Sequence, residues 1–225
     1  MAVTREERLS DSPLVESIWH VEAESDGCDI VSADMSWDMI ISQQYGKTNL
    51  CVWGPMTKAV LIPHTEGSEA LGIRFKPGTY LYDVPTYSQL NAGMILPEAS
   101  DKSFWLHSST WELPTYENVE TFIDRLVRGG LLGRDAVVEA ALQGQLPDVS
   151  LRSVQRRFLR ITGLTQRTMR AIERAQQAAS LLGRGTPILD AVFEAGYADQ
   201  QHMTKSLKHL LGQTPAQIAG IRNIE

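Results

Sequence analysis

The chain has 225 residues, enough for one large domain or two small ones each with its own core, and two is the expected organisation. With 43% hydrophobic and 21% charged residues it has the make-up of a soluble globular protein, and no stretch approaches the roughly 18 uninterrupted apolar residues of a membrane span. The formal net charge of −6 is uneven: residues 134–225 carry 12 Lys and Arg against 8 Asp and Glu, a net of +4, while residues 1–133 carry −10, so the two parts are expected to meet different partners.

The start, MAVTREERLSDSP, mixes acids with bases and leads into no apolar run, so it does not read as a signal peptide and a cytoplasmic location is expected. From Ile18 to about Ile95 the chain reads as short strands, SIWHVEA, MIISQ, NLCVWG, AVLIPH and ALGIRF, separated by turn signals such as SDG, GPM, TEG and KPG. That spacing predicts an all-β sandwich or barrel. Cys28 and Cys51 fall in separate strand-like segments, with no C-x-x-C and no Cys/His cluster at zinc spacing, so two reduced, partly buried thiols are expected. Neither has a basic sequence neighbour to lower its pKa.

The aromatic residues of this half have two readings. Trp37, Trp53, Phe75 and Tyr80, with Arg74, could wall a pocket and orient an anionic ligand. Equally, they are core residues on alternating strands, with Arg74 ion-paired or at the surface. His20, His64 and His107 are far apart, and no H-x-H or H-E-x-x-H pattern is present. No catalytic residue, metal site or cofactor is identified.

After Pro97 the period changes. Val119, Phe122, Ile123, Leu126 and Val127 in NVETFIDRLVRG share one helical face, and Gly129-Gly130 stops it. This predicts a linker at 113–133 between a β-rich domain, 1–112, and a helical domain, 134–225. In the latter, DAVVEAALQG, LRSVQRRFLRI, QRTMRAIERAQQAASLL, ILDAVFEA, QHMTKSLKHLL and PAQIAGI all read as helices, and no repeat suggests a solenoid.

Two of these segments carry chemistry. In ILDAVFEAGYADQQHMTKSLKHLL, Ile188, Val192 and Ala195 share one face, and Met203, Leu207, Leu210 and Leu211 must face a core. Asp199 sits at an N-cap and Gly196 in a tight turn, the pattern of a helix-turn-helix. Gln200, Gln201, Thr204, Lys205 and Lys208 are then forced outward near the helix start, where Gln can pair with adenine and Lys with guanine. A merely solvated face has the same composition, and His202 beside Met203 fits packing or capping as well as DNA contact. Upstream, Ser150 to Arg174 contains seven arginines and one acid. Ser150 reads as an N-cap and Leu151, Val154, Phe158 and Ile161 as the buried stripe, which leaves Arg152, Ser153, Gln155, Arg156 and Arg160 at the surface. Such a cluster suits phosphate, or pairing with the acidic first half.

At this point the residues resemble a known family. S-x-R-x-x-Q-R-x-F from Ser150, TGLT at 162–165, A-x-x-x-A-G-Y-A-D-Q from Ala191 and GQTPAQI at 212–218 resemble the DNA-binding domain of AraC/XylS-type bacterial transcription regulators. The resemblance implies two helix-turn-helix units joined by a helix at about 167–182, a double-stranded DNA partner, and contacts from Arg152, Gln155 and Arg156 in the first unit. Gln200, Gln201, His202, Thr204 and Lys205 match the second. One departure is QLPDV, where Pro147 and Asp148 disturb the turn ahead of Ser150. SPLVESIW, WGPMT and GIRFKPG resemble a β-rich domain of bacterial regulators, which implies an α+β protein with an N-terminal cupin-like sandwich or barrel holding a small-molecule effector or protein partner.

The expectation is therefore a sequence-specific transcription regulator, with a homodimer among its possible states. Two alternatives stay open: a helical interaction module without DNA readout, and a cupin-like metal enzyme with an appended helical domain.

Overall fold

Residues alternating between two faces build the sheets of the first half, and 3.6-residue spacing the helices of the second. The computed structural model describes residues 3–44, 46–84, 89–145 and 148–220. In order the elements are β1 (Val3–Leu9), β2 (Val15–Ala23), β3 (Gly27–Val31), β4 (Trp37–Gln44), β5 (Lys47–Trp53), β6 (Val60–His64), β7 (Glu69–Phe75), β8 (Thr79–Leu81), β9 (Gly93–Ile95), β10 (Glu98–Ser100), β11 (Ser103–Leu106), β12 (Ser109–Glu112), α1 (Val119–Arg128), β13 (Leu132–Arg134), α2 (Ala136–Leu142), α3 (Leu151–Thr162), α4 (Gln166–Gly183), α5 (Ile188–Glu194), α6 (Gln200–Leu211) and α7 (Pro215–Ile218). This is the expected α+β order, a β-rich region followed by a helical one.

The chain forms two compact units. The first comprises Met1–Cys28, Met35–Pro55 and Pro63–Thr165; the second comprises Asp29–Asp34, Met56–Ile62 and Gln166–Glu225.

The first unit is built on an antiparallel six-stranded sheet in the order β1-β2-β7-β4-β5-β9. Because strand side chains alternate, Trp37 and Met39 of β4, Leu50 and Val52 of β5, and Leu71, Ile73 and Phe75 of β7 share one buried face. Trp37 stacks on Phe75 with centroids 4.0 Å apart, and its indole N–H donates to the Thr79 carbonyl at 2.8 Å. Helix α1 completes this core with Val119, Phe122, Ile123 and Leu126. The helix read as a linker is thus part of the β-rich body. Arg8 ties β1 to it, donating to Glu120 at 3.0 Å and to the Tyr116 carbonyl at 3.0 Å. Strand β13 pairs with β8, against which α3 also lies, so α2 and α3 belong to this unit.

In the second unit α4 packs with α5, α6 and α7. Ile172, Ala175, Ala178 and Leu182 of α4, with Ala191 and Val192 of α5, form its buried seam. Among the described residues no helix is long and apolar enough to cross a membrane. Cys51 is half-buried and burial pushes its thiol up to about 11, whereas Cys28, expected to be partly buried, is exposed on β3.

Ile123 is fully buried, so Ile123→Ala should lower the unfolding free energy by about 2–5 kcal/mol in chemical denaturation. A loss below ~1 kcal/mol would contradict a core role for α1.

Candidate nucleic-acid interface

Helix α6 starts where Asp199 caps it: the carboxylate accepts the His202 backbone N–H at 2.7 Å. Met203 and Leu207 are fully buried, and Leu210 and Leu211 nearly so. With that stripe inward, Gln200, Gln201, His202, Lys205 and Lys208 are exposed, as expected. Thr204 is half-buried and its hydroxyl donates back to the Gln200 carbonyl at 2.8 Å, which occupies its proton within the helix. The ring of His202 meets Tyr197 edge-on at 5.2 Å, so it packs as well as facing solvent.

The turn before α6 is fixed by Gly196, read from the sequence, and by Arg174 and Tyr197, which sequence patterning did not single out. Gly196 has φ +72°, a left-handed conformation that favours glycine. Arg174 of α4 donates to the Gly196 carbonyl at 3.3 Å and lies over the Tyr197 ring at 5.2 Å. Tyr197, 5% exposed, also shares a hydrogen bond with Ser206 of α6 at 3.0 Å. One buried phenol therefore connects the long helix, the turn and the exposed helix. The aromatic residue following Gly196 was the available signal for it.

Helix α3 follows the same plan in the first unit. Ser150 accepts the Ser153 N–H at 3.3 Å, and Val154 and Phe158 are buried. Leu151, predicted in the stripe, is 69% exposed, while Thr162 takes a buried place and donates to the Phe158 carbonyl at 2.8 Å. At the first helical position Leu151 lies at the fraying end of the helix, beyond the reach of the core. Arg152, Gln155 and Arg156 are exposed. Arg157 is tied to Asp135 at 3.3 Å. Among the described residues, Arg152, Arg156 and Arg160 of α3 and Arg167 and Arg170 of α4 are exposed and make no ion pair, leaving their charge available to an anion. The α2–α3 connection runs over eight residues, longer than the five between α5 and α6; Pro147 within it lies outside the described residues.

The suggested ligand residues do not gather in one place. Trp37 and Phe75 are core, 3% and 0% exposed, because alternation turns them to the α1 side of the sheet. Tyr80 packs on β8 against Gly133. Only Trp53 and Arg74 share the opposite face, in a cross-strand row with Ser17 and Asp38. There Arg74 grips Asp38 through two bonds of 3.1 Å. Burial raises the Asp38 carboxyl above its ordinary 3.8, against the pull of Arg74, while the Ser17 hydroxyl and then Arg5 lower Glu7 from its ordinary 4.5. Trp19 lies flat on Gly72 with Arg5 over its ring at 5.8 Å, and its buried indole N–H has no hydrogen-bond acceptor. His20, His64 and His107 are separately engaged, and no group of three potential metal ligands occurs among the described residues.

Two helix pairs, each with a capped second helix that exposes hydrogen-bonding or cationic side chains, define a helix-turn-helix DNA-binding protein. Residues 148–220 match the family described as helix-turn-helix domain, and residues 9–84 match a domain of unknown function (DUF6597). Residues 148–220 thus carry an AraC-type helix-turn-helix domain, which supports a DNA-binding transcription regulator of that type. Among solved structures the chain is similar to ToxT from Vibrio cholerae, at 9% identity over 99% of this chain and 100% of that one, with a TM-score of 0.41. It is also similar to an apo ToxT variant from Vibrio cholerae strain SCE256, at 9% identity over 98% of each chain and a TM-score of 0.34. No curated protein matches it.

Asp199→Ala removes the cap of α6 and should cost about 1 kcal/mol of unfolding free energy. An unchanged denaturation midpoint would contradict the capping role.

For Asp38 the sign follows from its raised pKa: the native state holds the proton more tightly than the unfolded chain, so this carboxyl's contribution is present at low pH and lost as pH rises through the folded value. The stability of the wild type relative to Asp38→Asn should therefore increase as pH is lowered toward 3.8. A difference that grows with rising pH would contradict burial as the dominant effect.

Proposed function

We propose that this regulator reads DNA sequence chiefly through α6, with α3 supplying phosphate contacts and a secondary reading surface. The observation that carries this is the exposed start of α6, where Gln200, Gln201 and Lys205 project from a helix held by its buried stripe and its Asp199 cap. Amide side chains at such a position suit the donor and acceptor pattern of adenine, and a lysine suits guanine. The unpaired Arg152, Arg156 and Arg160 suit the backbone, where charge supplies affinity without sequence information. The region from 134 to the C-terminus would then act as the double reader, although its first helix pair is built into the β-rich body.

An effector at the N-terminal region is the second part of the proposal. Two tryptophans, Trp19 and Trp53, flank the Arg74–Asp38 pair on the sheet face away from α1, and an indole N–H there lacks an acceptor. Aromatic surface with a few directed polar groups suits a small polar molecule. Such a ligand would regulate only by its difference in affinity between two arrangements of the protein.

Selection of bound sequences from a random duplex library tests the reading, followed by affinity measurements on the enriched site and on random DNA. Gln201→Ala should cost about 1–3 kcal/mol on the enriched site and relax preference at one or two base pairs. Arg156→Ala should weaken all sequences alike and reduce the salt slope by about 1. Equal losses on both DNAs for Gln201→Ala would refute its role as a base reader.

A further inference from the structure

The C-terminal end of α6 has an unusual partner. The last four carbonyls of an α-helix have no acceptor role within it and need outside donors. Here the donors come from two stretches far upstream in sequence. The Ala59 N–H donates to the His209 carbonyl at 2.9 Å, and the Ala33 N–H to the Leu210 carbonyl at 2.6 Å. The stretches are fastened to each other: the Asp34 N–H donates to the Met56 carbonyl at 3.0 Å, and the Met56 N–H to the Asp34 carboxylate at 3.4 Å. Ala33 is fully buried and Met56 is 5% exposed.

Gly212, which ends α6 at φ +75°, lets these stretches approach. A Cβ at 212 would lie 2.8 Å from the Ile30 Cγ2 atom and 3.2 Å from the Ala59 Cβ. The glycine thus serves both the left-handed turn and the close contact. Residues 29–34, 56–62 and α6 accordingly belong to the same compact unit.

We propose that Ile30, Ala33 and Ala59 are positioning residues for the recognition helix, so that base reading by α6 depends on how these upstream stretches are held. The proposal rests on the reading of α6 as the DNA-facing helix. A buried stripe fixes a helix's rotation, whereas two backbone bonds at one end also fix its place along its axis. Recognition side chains must be held within about 0.5 Å of a productive geometry, so that axial constraint matters. Both stretches continue within a few residues into the Arg74–Asp38 row: the first leads to Asp38 at the start of β4, and the second follows Trp53 at the end of β5. The row is therefore joined along the chain to the two stretches whose backbone N–H groups bond the end of α6.

The test uses full-length protein with Ile30→Ala and Ala59→Pro. Ile30 is 47% exposed, so its truncation removes the contact with Gly212 without opening a core; the proline removes the donor to His209. Three quantities are read: amide hydrogen exchange across residues 207–213, the melting transition, and the base preferences selected from random duplex. Ile30→Ala should keep the wild-type melting transition, exchange several-fold faster at the end of α6, and lose preference at the base pairs that Gln201→Ala relaxes. Positions sensitive to Arg156→Ala should be unaffected. Ala59→Pro should show the same pattern more strongly.

Unaltered exchange and an unaltered motif in both variants would overturn the positioning role, as would a lowered melting transition with uniform loss of preference. A wild-type protein that selects no motif would overturn the assignment of α6 itself, whatever the exchange shows.

Discussion

Helix α6 turns Met203, Leu207, Leu210 and Leu211 into the interior of its unit, and a helix with that stripe fixed has one face left for solvent. The hydrophobic penalty for rotating it is large, about 1.5–3 kcal/mol for each large apolar side chain brought out. Everything on the exposed side inherits this constraint. Gln200, Gln201 and Lys205 are exposed because their neighbours cannot be, and Asp199 starts the helix where those side chains emerge. Tyr197 and Arg174 then hold the turn, so the exposed face is carried on a rigid support.

The same logic, at period two, separates the two faces of the six-stranded sheet. One face is filled by Trp37, Phe75, Ile73 and α1 and supplies stability. The other carries charge and tryptophan in register, with Arg74 and Asp38 facing each other across neighbouring strands. An ion pair taken that far from water gains little net stability, since desolvation offsets its attraction. Its physical interest lies in specificity: Trp19 and Trp53 stand beside the pair on the same face of the sheet. The strands that bear Asp38 and Trp53 lead directly to the stretches that close the end of α6.

Much of this was legible in the sequence, and the divide between legible and hidden has a physical cause. The helices from α1 onward, the caps at Ser150 and Asp199, the Gly196 turn and the strand segments depend on residues within a turn or two of each other, and local patterning reports them. The exposed faces of α3 and α6 follow from the apolar stripe alone. What depended on register was hidden. Trp37 and Trp53 look alike in sequence, yet odd and even positions on paired strands send one into the core and the other to the opposite face. Helix α1 reads as a connector because its amphipathic stripe does not say which body it packs on. Arg157 looks as free as Arg156 until Asp135 is placed beside it. The bonds from Ala33 and Ala59 to α6 involve only backbone atoms of alanines well over a hundred positions upstream, and no side-chain pattern announces them.

The most direct measurement is a photo-cross-link from position 201 to duplex DNA, with the attached base identified. A photoreactive side chain replacing Gln201 should mark a base in the major groove at one defined position, and competition by the specific duplex should abolish the product while random duplex does not. Protein that binds the duplex yet cross-links from this position only to sugar and phosphate, or not at all, would contradict the assignment of α6 as the reading helix.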